Sequence, residues 1–159
     1  MRAAPLTVVC LLFTPACGIP RDADHTMDRI RHGTVRVGVV QNPPWVIAGE
    51  HVRGVEPALV ADAARQVDAR IEWVRWPESE LMRALHDRKV DVVLAGILDT
   101  TPWGQEVALT TPYFVEQRSG DRRRHVVAVA PGENAWLAHV ERVLRQHRDA
   151  VPSLLATVQ

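Results

Sequence analysis

VLAGILDTTPWGQEVALTTPYF, Val93 to Phe114, is the stretch on which the fold turns. Its start completes an apolar run from Asp91 to Gly96. A strand with no polar alternation suits a parallel sheet whose two faces are both covered by helices. The run then enters a loop rich in Thr, Asp and Trp, and Val107 to Phe114 brings in a second short strand.

Working outward, Thr34 to Val40 is a β-branched run stopped by Asn42-Pro43-Pro44, which predicts a buried strand. Val55, Leu59, Ala63 and Val67 fall at helical spacing with one apolar face. Ile71 to Trp76 predicts the next strand. Pro77, Glu78 and Glu80 then suit the start of a helix carrying Leu81, Met82 and Leu85. His125 to Ala130 reads as the last strand. Pro131 to Asn134 opens a final helix with Asn134 as N-cap and Trp136, Val140, Val143, Leu144 and His147 inward.

Strand, helix, strand, helix, strand predicts a parallel α/β sheet with right-handed crossovers. Ligands in such sheets sit beyond the carboxyl ends of the strands. Those ends are Val40 to Trp45, Trp76 to Glu78, and Ala95 to Trp103, so separate segments converge on one edge.

The segments GTVRVGVVQNPPW (from Gly33), GVEPALVADAARQV (from Gly54), LMRALHDRKVDVVLAGI (from Leu81), VALTTPYF (from Val107) and HVVAVAPGENAWLAHVERVLRQ (from His125) follow one another in order. Together they resemble the first lobe of bacterial extracellular solute-binding proteins of family 3, the amino-acid-binding type that serves ABC transporters. The resemblance covers Gly33 to Gln146. It implies an α/β, periplasmic-binding-protein-like sandwich: a mostly parallel sheet, helices on both faces and one antiparallel returning strand. In the family a second lobe of similar size lies between the TPYF strand and the returning strand. Here only Val115 to Arg124 fills that place, too short to build a lobe. The resemblance therefore implies a single-lobe derivative.

The resemblance also implies where a ligand would be gripped. Amino-acid-binding members carry a Thr and, five residues on, an Arg in the loop after the third strand; ungapped, these fall on Leu98 and Trp103. Leu cannot hydrogen-bond, and Trp offers one N–H and no charge. The aromatic that usually follows the second strand falls on Glu78. The amino-acid grip is thus altered. The candidate ligand-binding residues are Asn42, Trp45, Glu78, Gly96, Asp99, Thr100, Trp103 and Tyr113. Trp45, Trp103 and Tyr113 would give aromatic surfaces and Glu78 and Asp99 acids, a set suited to a cation or an apolar ring. The plainer alternative is structural: Trp45 covers the sheet edge, Trp103 fills space, and Asp99 accepts from the N–H of Thr100 or Thr101.

Composition bounds the function. Lys+Arg and Asp+Glu are each 19, so no net field favours nucleic acid. Arg122-Arg123-Arg124 reads as a solvated loop. The start of the chain, Arg2 followed by an apolar run to Ala16, is too short to span a bilayer and reads as a signal peptide, residues 1–16. Thr14-Pro15-Ala16-Cys17-Gly18 resembles a lipobox, implying lipidation of Cys17 and a membrane-anchored, extracytoplasmic protein. Residues 17–32 are expected as a tether, 33–150 as the lobe and 151–159 as a tail. With Cys10 removed in the signal, the lobe holds no Cys and no thiolate site. No Gly-rich phosphate loop, His-Glu-x-x-His or nucleophile elbow occurs. His139 and His147, with Glu141 near, read as a solvated helix face rather than a metal site. Neither cofactor nor metal is implied. The expected partner is a small-molecule solute, and an ABC permease and a lipid bilayer follow from the resemblance. The alternatives are a protein-interaction or homodimerisation module on the bared sheet edge, and a weak dehydratase-like enzyme using Glu78 and Asp99.

Overall fold

The structure is a computed structural model that describes residues 22–118 and 120–158; the expected signal peptide and Cys17 lie outside them. In chain order the elements are α1 (Thr26–Ile30), β1 (Thr34–Val39), β2 (Ile47–Ala48), β3 (Val52–Arg53), α2 (Val55–Arg65), β4 (Arg70–Val74), α3 (Glu78–His86), β5 (Val92–Leu94), β6 (Ala108–Leu109), β7 (Phe114–Arg118), β8 (Asp121–His125), β9 (Ala128–Val129), α4 (Asn134–Gln146) and α5 (Val151–Val158). The main sheet runs β4-β1-β5-β9-β6. β1 is parallel to both β4 and β5, whereas β9 returns antiparallel to β5. The α/β sandwich, the parallel centre and the antiparallel returning strand are as the sequence predicts.

Residue alternation explains the two faces. Val35, Val37 and Val39 of β1, with Val92 and Leu94 of β5, pack into a core with α2 and α4. Val93 of β5 points the other way, into a smaller core with Leu81, Met82 and Leu85 of α3. Gly38 lies where α3 comes closest; a Cβ there would sit 2.8 Å from Leu81 Cδ2. The β5 triplet is wholly buried on both faces, which is why it shows no polar alternation.

Several boundaries differ from the sequence reading. The expected tether is folded over its second half: residues 22–31 dock on the body, and Ile30 is fully buried. Asp22 drives this. Its carboxylate accepts from Met27 N at 2.6 Å and from Ala135 N and Trp136 N at 2.6 and 3.2 Å, so one side chain caps both α1 and α4. Glu133, not Asn134, is the N-cap residue of α4, and its buried carboxylate reaches back to Asp24 N and Thr26 N at 3.0 and 3.2 Å. The expected tail is α5, anchored by fully buried Val151 with Leu154 and Leu155 packed on the core. His139 is not on a solvated face: it is buried, its Nε2 2.9 Å from Ala63 O. Among the described residues no group of three or more His, Cys, Asp or Glu could hold a metal. No helix among them is long and apolar enough to cross a membrane.

Candidate functional site

The carboxyl ends of β1 and β5 meet at a cavity of about 380 Å³. Its floor is built by three side-by-side features. Asn42 donates Nδ2 to Ala95 O at 2.7 Å, tying the loop after β1 to the end of β5. Gly96 adopts φ +61°, and a Cβ there would lie 2.5 Å from Asn42 Nδ2 and 2.9 Å from Trp45 Cδ1. Glycine is required twice over, by conformation and by contact. Trp45 follows the cis Pro43–Pro44 bond and closes the floor at 7% exposure.

Beneath the floor sits a buried acid. Glu56, in the first turn of α2, accepts from Gly96 N at 3.0 Å and from the Tyr113 hydroxyl at 2.8 Å. Burial pushes its carboxyl up to about 7, against the opposing pull of the hydrogen bonds from Gly96 and Tyr113. Burial and the neighbouring carboxylate in turn push the Tyr113 phenol well above its ordinary range.

The cavity wall comes from the segment that stands where a second lobe is expected. Val115 to Arg124 is no open loop. It forms most of the β7–β8 hairpin, in register Glu116↔Arg123 and Arg118↔Asp121. Strand alternation sorts its charges onto two faces. Glu116, Arg118, Arg123 and His125 line the cavity, Arg118 at its exposed edge, whereas Arg122 and Arg124 fall on the other face and are exposed as well. The hairpin is fixed to the loop after β5 by Asp99 N donating to Arg124 O at 2.9 Å and Val126 N to Ile97 O at 3.0 Å. The Arg124 guanidinium also pairs with the Asp99 carboxylate. His125 stacks on Trp45, ring centroids 3.8 Å apart. It is 1% exposed, with its Nε2 3.5 Å from the Glu116 carboxylate and neither ring nitrogen hydrogen-bonded. Burial pushes its pKa below the ordinary imidazole value, against the opposing pull of the Glu116 carboxylate. Leu155 of α5 completes the rim.

Of the residues singled out in the sequence, Asn42, Trp45 and Gly96 come together in this cavity. The others do not line it. Tyr113 is buried, 1% exposed, behind the floor with its hydroxyl engaged by Glu56, and does not line this cavity. Asp99 is consumed by Arg124 and does not serve as an acceptor for Thr100 or Thr101; Thr101 N donates to Leu98 O instead. Thr100 is exposed. Trp103 donates Nε1 to Glu78 Oε1 at 3.2 Å, an exposed pair beside the smaller core. The acids that favoured a cation are thus both partnered outside the cavity. Glu116, Arg118, Arg123, His125 and Leu155 are the residues that sequence reading missed. The available signal was the alternation of Phe114, Glu116 and Arg118 against Asp121, Arg123 and His125 across a Gly-containing turn. A second cavity, about 430 Å³, is lined by Pro112, Tyr113, Phe114, Val115, Arg148, Asp149 and Pro152, none from the strand ends.

Residues 35–150 match the profile of the bacterial extracellular solute-binding proteins, family 3. The chain belongs to that family. The membership carries the coarse localisation, outside the cytoplasm, that the family's description states. Among solved structures, an arginine-bound form of domain 1 from TmArgBP, of T. maritima, is 24% identical with a TM-score of 0.66, covering 75% of this chain and 97% of that one. An ancestral amino-acid-binding protein described as a precursor of cyclohexadienyl dehydratase is 14% identical, TM-score 0.68, covering 82% and 96%. The L-cystine solute receptor of Neisseria gonorrhoeae, unliganded and open, is 12% identical, TM-score 0.65, covering 79% and 92%. At these identities the likeness is one of fold. A curated relative, the membrane-bound lytic murein transglycosylase F of Actinobacillus pleuropneumoniae serotype 5b (strain L20), is 28% identical over 106 residues, 62% of this chain. The chain spans 22% of that relative's length.

Proposed function

We propose that the protein is an extracytoplasmic single-lobe solute-binding domain that takes a small solute in the cavity between Trp45, Gly96 and the β7–β8 hairpin, with a ligand class altered from amino acids. The observation that carries this reading is the hairpin itself. It stands where the chain would leave for a second lobe, and it walls the strand-end cavity with polar side chains. A concave site with a few convergent polar groups beside apolar wall is what small-molecule sites require. The arginine-bound domain 1 of TmArgBP supports the idea that a lone lobe of this fold retains a ligand. The altered class follows from Leu98 and Trp103 at the places of the family's Thr and Arg.

Binding is favoured over catalysis. An acid–base step needs a carboxyl or imidazole that reaches the substrate with a suitable pKa. Glu56 has the pKa but lies fully buried below Gly96. Glu78 and Asp99 lie outside the cavity, engaged by Trp103 and Arg124; of the titratable groups that do line it, Glu116 stands beside the Arg123 guanidinium and His125 has both ring nitrogens buried. The reading keeps Cys17 as a lipid anchor, with only residues 18–21 between it and the folded Asp22, and an ABC permease as the partner that would receive the solute. An interaction module built on a homodimer is the competing reading; exposed Trp76 and Val115 are what favour it.

Thermal unfolding across a panel of organic acids, amino acids, amines and sugars tests the proposal, because a ligand at a hundred times its Kd stabilises by about 2.7 kcal/mol. The expected result is a hit whose stabilisation is lost in Leu155→Glu, which places charge on the cavity rim. A panel without hits, together with a concentration-dependent dimer in sedimentation, would replace this reading with the interaction module.

A further inference from the structure

The charges inside the cavity identify the chemistry it would hold. Its lining carries the guanidinium groups of Arg118 and Arg123 against the single carboxylate of Glu116. The pairing of Arg123 with Glu116 is loose, Arg123 Nη1 to Glu116 Oε2 at 3.8 Å. Arg118 faces Asp121 in the hairpin register yet forms no ion pair with a described residue. His125 contributes wall rather than polar contact, its ring stacked on Trp45 and both ring nitrogens buried out of a solute's reach. The rest of the wall is aromatic or apolar, from Trp45 and Leu155.

We propose that this hairpin face, Arg118 with Arg123, grips the carboxylate of a small carboxylate solute whose aromatic or apolar body lies on Trp45. The inference rests on the reading of the cavity as a solute site and adds the ligand class and the residues that select it. A guanidinium presents its N–H groups as a planar fork that matches the two oxygens of a carboxylate. The carboxylate grip, absent at Trp103, is thereby rebuilt on the opposite side of the site by the segment that stands in for a lobe. Glu116 limits it, since Glu116 competes with the ligand for Arg123.

The test is a titration of the isotopically labelled protein at low salt, pH 7, with four probes: benzoate, benzylamine, benzyl alcohol and inorganic phosphate. The backbone amide of Gly96 and the indole N–H of Trp45 report on the floor, and the Arg118 and Arg123 Nε–H signals report on the grip. Benzoate is expected to move all of them, at least tenfold more tightly than benzyl alcohol. Arg118→Met with Arg123→Met should weaken benzoate by roughly tenfold or more, the size of a lost charge-assisted pair, and leave benzyl alcohol unchanged. Glu116→Gln, which removes the competitor and keeps the hairpin's cross-strand register, should tighten benzoate and supplies the test if the double variant does not fold. Benzylamine binding as tightly as benzoate, or benzoate affinity indifferent to all these variants, overturns the carboxylate inference and leaves the solute site standing. Phosphate displacing benzoate at equal affinity overturns the commitment to a carboxylate in favour of a general oxyanion site. If no probe moves Gly96 or Trp45, the inference and the reading beneath it both fall.

Discussion

Replacing Glu56 by Gln isolates the energetic consequence of the acid under the cavity floor. Folding raises this carboxyl from 4.5 to about 7 because the ionised form loses its water on burial. A raised folded-state pKa means that the folded chain holds the proton more tightly than the unfolded chain. Below pH 4.5 both states are protonated and Glu56 contributes no pH dependence. From there to about pH 7 the unfolded state ionises first, so stability falls as pH rises, and above about 7 the loss is constant. At about 1.4 kcal/mol per pKa unit the full penalty is about 3.4 kcal/mol. Between pH 5 and pH 8 the portion lost is about 2.5 kcal/mol. Urea unfolding of wild type and Glu56→Gln at those two pH values measures it. His125 and His139, whose pKa values burial lowers, act in the opposite direction but are common to both proteins and cancel in the comparison. The amide variant loses one acceptor facing Gly96 N and Tyr113 OH, a cost independent of pH. Wild type should therefore lose about 2.5 kcal/mol more than Glu56→Gln on going from pH 5 to pH 8. Parallel pH profiles for the two proteins would refute a buried, proton-retaining carboxyl at this position.

Asp22→Ala removes the acceptor shared by the amino termini of α1 and α4 and should cost about 1–3 kcal/mol, two cap losses taken together, with faster amide exchange at Ala135 and Trp136. Unchanged exchange there would mean that the N-terminal segment does not dock. Glu78→Gln and Trp103→Phe should each leave urea stability within about 0.5 kcal/mol, since their hydrogen bond is exposed, and should leave solute affinity unchanged; a loss of binding would return both residues to the site. His139→Gln should flatten the acid side of the stability profile. The pKa of His139 is lowered below 6.5 by burial, so its contribution is present above that value and is lost as pH falls through and below it; an unaltered slope between pH 7 and pH 5 would contradict that.

The sheet was legible because its signals are local. β1, β4 and β5 announce themselves as β-branched or apolar runs, and α2, α3 and α4 as stripes at helical spacing. The cavity at the strand ends was legible only where it is made of loop ends. Asn42, Trp45 and Gly96 follow directly from the strand-end rule, whereas the hairpin was hidden by its composition. A strand test looks for apolar alternation, and β7 and β8 alternate charge with charge, held by cross-strand pairs such as Glu116↔Arg123 rather than by burial. Tyr113 is the converse case: an aromatic next to a strand end reads as a surface residue, yet the structure places it behind the cavity floor with its hydroxyl on Glu56. Glu56 itself reads as an ordinary first-turn acid, favourable to the helix dipole. Asp22 and Glu133 exchange caps across more than a hundred residues, which no local pattern reports.

A lobe that binds alone faces a physical difficulty: without a partner to close over the ligand, one face stays open and the buried area is small. Affinity then depends on how little must be ordered on binding. Under the proposed reading the floor is fixed before a solute arrives. Gly96 N is held by Glu56, Asn42 by Ala95 O, and Trp45 by its stack on His125. The hairpin is held in the same way, bonded through its backbone to Ile97 and Asp99 and clamped by the Arg124–Asp99 pair. That pair accounts for two features at once. It engages the Asp99 carboxylate, and it fastens the segment bearing Arg118 and Arg123 to the loop after β5. Rigid attachment of the hairpin is therefore the condition under which a lone lobe can present charge to a ligand without a closing motion, and α5, by lending Leu155 to the rim, makes the enclosure a property of one body.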